Sequence, residues 1–380
     1  MMKLITIIIV LIGLYNVNGF KISSSSTRSL ILSNKLQQQN KNVLLSSNTM
    51  MKMSAAAETL PSPTIVAKST AAPSDLVKKL KVGSLFGLWY VLNIGYNIYN
   101  KKVLNIAPSL TYFTAWLQLA IGILYVVPKW ELNKANAPVL TNDEIKNLFP
   151  VALCHLLTHV GAIVSLGAGA VSFTHIVKAA EPAVSAALSA IFLNSFLPIP
   201  VYLTLLPVMG GVALASLSEL SFTWLSFGSA MVSNVASASR GIVGKSLMGK
   251  SSGKNMNAAN IYGVMTILST IMMIPITLAV EGSTMVSSIK ALAKAGLLKK
   301  FAIESLITGI FYYAYNEVAF LCLDNVAPVT HALGNTIKRV VIIIASVLAF
   351  GTKMTSQGIL GSSIAIGGVL LYSLAKDYFK

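Results

Sequence analysis

From about residue 80 onward the chain is a succession of apolar runs separated by short polar connections. The runs are predicted at 83–100, 110–128, 148–168, 170–194, 200–217, 221–246, 258–280, 300–322, 326–350 and 355–375. A helix rises about 1.5 Å per residue, so ~20 residues cross the ~30 Å hydrocarbon core of a bilayer. Inside that core no water satisfies the backbone, which leaves only helices and closed barrels. The alternating pattern of a barrel strand is absent. The expectation is therefore an all-α integral membrane protein with ten transmembrane helices. Only 11% of the residues are charged and 54% are hydrophobic, against about 25% charged in a soluble domain. The net charge of +17 would point to nucleic acid in a soluble chain. Here many of the cations lie in the N-terminal leader and short loops, where they serve targeting and topology. No nucleic-acid partner is expected, and membrane lipid surrounds the chain.

The ten runs divide into two sets. Thr174-His175 in the fourth matches Thr330-His331 in the ninth. Gly210-Gly211-Val212-Ala213-Leu214 in the fifth matches Gly367-Gly368-Val369-Leu370-Leu371 in the tenth. Two five-helix halves, 82–217 and 218–380, account for both matches. An odd number of spans per half inverts the second half in the membrane, and such inverted repeats hold a transport site at the midplane. An even total puts both termini on one side. Positive-inside counting does not choose that side, because Lys78, Lys79 and Lys81 precede the first span and Lys101 and Lys102 follow it. Pro128, Pro198 and Pro200 fall at or near span ends, whereas Pro182, Pro275 and Pro328 fall within spans as expected kinks. The connections 130–147 and 281–300 carry charge on amphipathic patterns and read as interfacial helices. Cys154 and Cys322 lie in apolar runs and read as buried free thiols.

The leader has two parts. Residues 1–19 have the charged start (Lys3) and short apolar region (Ile5 to Leu14) of a signal peptide. Residues 20–54 open with Phe20, contain Ser23-Ser24-Ser25-Ser26, and carry Lys21, Arg28, Lys35, Lys41 and Lys52 with no acid; the first acidic residue of the chain is Glu58. That is a transit-peptide composition. The order resembles the bipartite presequence of algae whose plastids came from secondary endosymbiosis. It implies a multi-pass protein of the plastid (chloroplast) envelope membrane, in a complex secondary plastid. A secreted Ser-rich tail is the alternative. Residues 55–81, rich in Ala, Pro, Ser and Thr, read as a disordered linker.

Few ionisable residues lie inside the spans. Lys338 and Arg339 sit side by side in the middle of the ninth, in Ala332-Leu333-Gly334-Asn335-Thr336-Ile337-Lys338-Arg339-Val340. An uncompensated charge at that depth costs about 3 kcal/mol on insertion scales. A polar cavity within a helix bundle removes that cost, and a cationic cavity calls for an anion. His331, Asn335 and Lys338 share one helix face, and Arg339 is rotated about 100° from Lys338. In the fourth span His175, Lys178 and Glu181 are spaced i, i+3, i+6, so a Lys178–Glu181 ion pair competes with a ligand role for Lys178. Arg offers a planar fork for phosphate oxygens and Lys a mobile point charge. Lys178, Lys338 and Arg339 together form a candidate dianion clamp. Arg240 has a structural alternative, a pair with Glu317 or Glu304. Tyr315 is equally consistent with packing, and His159 with a satisfied core histidine. His155 and His159 are spaced i, i+4, but no third metal ligand accompanies them. No phosphate-binding glycine loop occurs, and no cofactor is expected.

Ala170-Val171-Ser172-Phe173-Thr174-His175-Ile176-Val177-Lys178-Ala179-Ala180-Glu181-Pro182 resembles the most recognisable segment of the plastid phosphate translocators, within the drug/metabolite transporter superfamily. Phe311 to Asn316, Asn335 to Val340 and the closing Gly-Gly-Val-Leu-Leu-Tyr-Ser are also similar to that family. The resemblance covers residues 82–376. It implies ten helices in two inverted halves and exchange of inorganic phosphate for a phosphorylated metabolite. The family's phosphate-holding lysine and Lys-Arg pair correspond to Lys178, Lys338 and Arg339, and its ligand-facing tyrosine and histidine to Tyr315 and His159. Ala162 stands where triose-phosphate members carry Thr or Ser, a choice more like the hexose- and pentose-phosphate members. Phosphoenolpyruvate members tend to have Asn in place of the histidine, so His159 argues against them. Ser237 stands where many members place Phe. Both changes enlarge the expected pocket.

The expected function is a plastid-envelope antiporter exchanging inorganic phosphate for triose phosphate or a larger sugar phosphate, not an enzyme, for which a monomer suffices. With no anion bound, three unpaired cations are expected to slow the switch between inward and outward states. A nucleotide-sugar or drug/metabolite transporter of the same fold is the alternative; competition by bare phosphate separates the two. A membrane-embedded enzyme using His155, His159 and Glu181 is a remote third reading, which requires turnover without a counter-substrate.

Overall fold

The structure is a computed structural model that describes residues 75–247, 253–326 and 328–379. The stretches expected to be signal peptide and transit peptide, and most of the expected linker, lie outside the described residues. From Lys79 onward the chain forms one compact unit. The described residues contain twelve α-helices and no strand, only an isolated antiparallel bridge between Val139 and Lys254. The helices are α1 (Asp75–Ile106), α2 (Thr111–Leu132), α3 (Asn142–Ala168), α4 (Val171–Lys178), α5 (Glu181–Leu193), α6 (Ile199–Leu203), α7 (Leu205–Leu217), α8 (Trp224–Leu247), α9 (Ala258–Lys294), α10 (Leu298–Asn325), α11 (Pro328–Phe350) and α12 (Ser356–Tyr378). α1 starts within the stretch expected to be linker: once Pro73 is passed, no Gly or Pro interrupts the chain before Gly83.

Among the described residues, eight segments are long and apolar enough to cross a membrane: Pro108–Leu132, α3, Val171–Leu193, Ile199–Leu217, α9, α10, Thr330–Phe350 and α12. α1 and α8 are not among them. Their polar content is turned inward, which hydropathy does not register. Asn93, Asn97 and Asn100 of α1 are buried, as are Ser226, Ser233 and Asn234 of α8. In lipid such groups belong at helix contacts, where neighbours satisfy them.

Two of the expected spans are broken. The fourth stops at Lys178 and restarts at Glu181, with Pro182 in the first turn of α5, where its missing N–H costs nothing. The fifth stops after Leu203, and Thr204 joins α6 to α7. Pro275 lies inside α9 and Pro128 inside α2, neither ending its helix, while Pro328 is the first residue of α11 rather than an internal kink. The expected interfacial helices are absorbed into their neighbours. α9 runs 37 residues to Lys294, about 55 Å, so its charged C-terminal turns extend the spanning helix. The α2–α3 connection holds one short 3-10 turn, Lys134–Asn136. A capping box then starts α3: the Glu144 amide donates to Thr141 Oγ1, and the Thr141 amide donates to the Glu144 carboxylate at 2.8 Å. Cys322 is buried and Cys154 half-buried; both are free.

Small residues bring the helices together. α7 lies along α12, and α3 along α8. A Cβ on Gly211 would stand 2.4 Å from the backbone nitrogen of Ala365, and one on Gly161 would stand 2.7 Å from the Ser229 carbonyl. Contact at that range leaves no room for any side chain, as small-residue motifs in membranes require.

Candidate functional site

The site is built around the break between α4 and α5. Lys178 is the last residue of α4, and its Nζ donates to Ser233 Oγ at 2.6 Å. Ser233 in turn donates to the Thr158 carbonyl at 2.7 Å. Glu181 is the first residue of α5. Its Oε1 accepts from Ser237 Oγ at 2.5 Å and its Oε2 from Arg339 Nη2 at 2.8 Å. Ser233 and Ser237 are four residues apart, so one face of α8 holds both sides of the break. Arg339 is the better buried partner of its pair: 8% of its side chain is exposed, against 27% for Glu181.

Lys338 points elsewhere, as neighbours on a helix must. Its Nζ lies 4.5 Å from the centroid of the Trp89 ring, a cation–π contact. Trp89 stacks on His331 with centroids 5.0 Å apart, and His331 is on the same face of α11 as Lys338. α1 is held at two further points. Tyr90 Oη donates to the Gly334 carbonyl at 2.8 Å, and His175 Nε2 lies 2.8 Å from Asn97 Oδ1. α4 packs on α11, and Arg339 bonds to Glu181 three residues after Lys178, so these helices bring the segments that carry the three predicted cations together.

The remaining predicted residues form an aromatic wall. His159 Nε2 lies 3.1 Å from the Ala115 carbonyl, and its ring is 4.2 Å from that of Tyr312. Tyr315 contacts Tyr96 at 5.0 Å and Tyr312 at 5.7 Å. Tyr96 donates to Gln118 Oε1 at 3.2 Å, which ties the wall to α2. Ala162 is half-buried on α3, one turn beyond His159. Arg240 connects the wall to the cations: its Nη1 donates to His155 Nδ1 at 2.8 Å, and its charge reaches Lys178, Glu181 and Tyr315.

The bonded partners bear on the alternatives left open in the sequence. Glu181 pairs with Arg339 across the bundle, and Lys178 bonds to Ser233. Arg339 is therefore not an unpaired cation. Arg240, for which Glu317 and Glu304 were alternatives, bonds to His155, and Glu317 is bound by Lys129 at 2.6 Å. Ser237 does more than enlarge the pocket: its hydroxyl holds the Glu181 carboxylate. Trp89, Ser233 and Tyr312 escaped the sequence reading, since neither charge nor spacing marks an apolar ring or a serine as a partner of a distant lysine.

The family model of the Triose-phosphate Transporter family matches residues 80–373, the stretch that carries every helix contact described above. The chain belongs to the triose-phosphate transporter family. Within it, the chain is 44% identical over 299 residues to the chloroplastic triose phosphate/phosphate translocator of Pisum sativum, covering 78% of this chain and 73% of that one. It is 41% identical over 300 residues to the chloroplastic glucose-6-phosphate/phosphate translocator 2 of Arabidopsis thaliana, covering 79% and 76%. It is 41% identical over 303 residues to the chloroplastic phosphoenolpyruvate/phosphate translocator 1 of Oryza sativa subsp. japonica, covering 79% and 73%. These three translocators differ in the organic phosphate they are named for, yet the chain is about equally similar to each. Overall identity thus does not single out one of the three organic phosphates that these relatives are named for.

Proposed function

We propose that this chain is a multi-pass antiporter of the plastid envelope that exchanges inorganic phosphate for a phosphorylated metabolite. The observation that carries this reading is the packing of α11, which bears Lys338 and Arg339, against the broken helix that bears Lys178, joined by the Arg339–Glu181 bond, within a family of phosphate translocators. Arg339 presents a fork to phosphate oxygens, and Lys178 and Lys338 are mobile charges that reach them from two sides. His159, Tyr315 and Arg240 lie where the organic part would extend. Ala162 leaves that end roomier than Thr or Ser would, which favours an organic phosphate larger than a triose phosphate. The chain acts as a carrier and not as an enzyme, and one copy contains the whole site.

Ten crossings in two inverted halves fit the contacts. The α2–α3 connection bonds to the start of α9: Lys254 and Val139 exchange backbone hydrogen bonds, and Asn255 Nδ2 donates to the Ala135 and Ala137 carbonyls. The end of α3 bonds to the start of α8, with Thr223 Oγ1 donating to the Ala168 carbonyl. α8 therefore runs from one membrane face to the other. α1 does too, since Trp89 and Tyr90 meet the first turns of α11 while Val103 packs with Leu292 and Phe301. With these two included, α2–α9, α4–α11 and α7–α12 are contacts between equivalent helices of the two halves. That is the pattern of a two-fold axis in the membrane plane, with the site on it. The relatives carry chloroplastic names, and the signal-plus-transit composition of residues 1–54 points to a complex secondary plastid.

The test is counter-exchange in liposomes preloaded with phosphate. Labelled phosphate uptake should require internal phosphate or an organic phosphate and should be competed by bare phosphate. Lys338→Ala should lower exchange by roughly 10- to 100-fold, the worth of one charged hydrogen bond. Undiminished exchange in that variant would remove Lys338 from the site.

A further inference from the structure

Taking the phosphate site as proposed above, we infer that Glu181 is a built-in counter-charge that sets how highly charged an anion the carrier prefers. Among the described ion pairs and hydrogen bonds, Glu181 is the one acid that contacts any of the three cations, and the cation it contacts is Arg339. It does not sit at the rim or in a loop. It opens α5 directly at the break, bonded to the phosphate-binding Arg339 through one oxygen and fixed by Ser237 through the other. Lys178, three residues away, is left to Ser233, so the carboxylate is committed to Arg339. Two consequences follow. Glu181 takes one donor of the Arg339 fork, and it lowers the positive charge of the site by one unit at its centre.

The interaction of a fixed charge with a ligand grows in proportion to the ligand's own charge. Removing Glu181 therefore strengthens every anion, but a trianion more than a dianion. A phosphate ester that also carries a carboxylate gains one further unit of that interaction over a plain sugar phosphate. Glu181 is thus a specificity-determining residue that acts through Arg339, and Ser237 is the residue that positions it. The hydroxyl at 237 matters as a donor to a carboxylate, which an aromatic ring at that position cannot replace.

The experiment uses wild type, Glu181→Gln, Glu181→Asp and Ser237→Ala, each reconstituted in phosphate-loaded liposomes at a pH above 7, where phosphate esters are dianions. Labelled phosphate uptake is competed with dihydroxyacetone phosphate (a dianion) and 3-phosphoglycerate (a trianion), and the ratio of their half-inhibitory concentrations is read. Glu181→Gln should shift that ratio about tenfold toward the trianion, the scale of one unit charge in a medium between protein and water. Glu181→Asp should restore the wild-type ratio. Ser237→Ala should shift it the same way by about threefold, because the freed carboxylate moves off the centre. A wild-type ratio in an exchanging Glu181→Gln carrier overturns the inference, as does an equal shift in Glu181→Asp. If Glu181→Gln does not reconstitute, an unchanged ratio in Ser237→Ala overturns it instead. Loss of phosphate exchange in wild type would instead defeat the antiport reading, so the two failures are distinguishable.

Discussion

Glu317 is fully buried and holds Lys129 at 2.6 Å, while Lys129 keeps 28% of its side chain exposed. The two ends of this ion pair are therefore unequal. If Glu317→Gln is made, Lys129 can turn its ammonium outward along its flexible stem. If Lys129→Met is made, a carboxylate inside the bundle loses this counter-charge and has no route to water. Breaking a buried pair from the side that strands the charge costs about 3–5 kcal/mol. Lys129→Met should therefore lower the melting temperature of the purified carrier markedly more than Glu317→Gln does, measured by fluorescence-detected thermal unfolding; the reverse order would mean that the pair is not the main support of Glu317. The same logic of cost made Lys178, Lys338 and Arg339 legible in the sequence, since charges inside apolar runs demand a reason. Their partners were less legible. Spacing alone offered Lys178 for Glu181, and only the turn of the chain after Lys178 hands that carboxylate to Arg339.

At the scale of helices, the break between α4 and α5 is where sequence and structure part most. Pro182 announced a disturbance, but Ala179 and Ala180 are strong helix formers and favour a continuous span. Tertiary bonds oppose them: Ser233 takes Lys178, and Asn234 Nδ2 donates to the buried Val177 carbonyl at 3.0 Å. The repeated glycine pairs were legible as a repeat but not as a contact. Of Gly210 and Gly211, only the second faces α12. A Cβ on Gly210 meets nothing within 4 Å, whereas one on Gly211 meets the Ala365 backbone at 2.4 Å. Gly211→Ala must push α7 from α12, and overpacking of this kind costs about 1–3 kcal/mol. It should reduce the monodisperse fraction after detergent extraction, while Gly210→Ala should behave as wild type. Equal behaviour of the two variants would show that the α7–α12 contact is not so close.

For the whole molecule, basic residues on both sides of the first span leave the side of the termini open in the sequence. The hydrogen bonds between connections bear on a different question, which connections share a membrane face, through geometry rather than charge. If α1 and α8 both cross, Lys134 and Lys254 lie on one face, and Lys299 and Lys353 lie on the other. If α8 did not cross, α9 would begin on the face where α7 ends, and the bond between Val139 and Lys254 would have to pass through the bilayer. All four lysines are exposed, so each accepts a probe. In a background with Cys154 and Cys322 replaced by Ala, single cysteines at these positions can be reacted with an impermeant maleimide in sealed, uniformly oriented vesicles. Lys134→Cys and Lys254→Cys should label together from one side, and Lys299→Cys and Lys353→Cys only from the other. Labelling of Lys254→Cys with the second pair would leave α8 on one side of the membrane. The two halves would then have unequal numbers of crossings and could not be inverted copies. The two-fold axis proposed for the carrier would be lost with them.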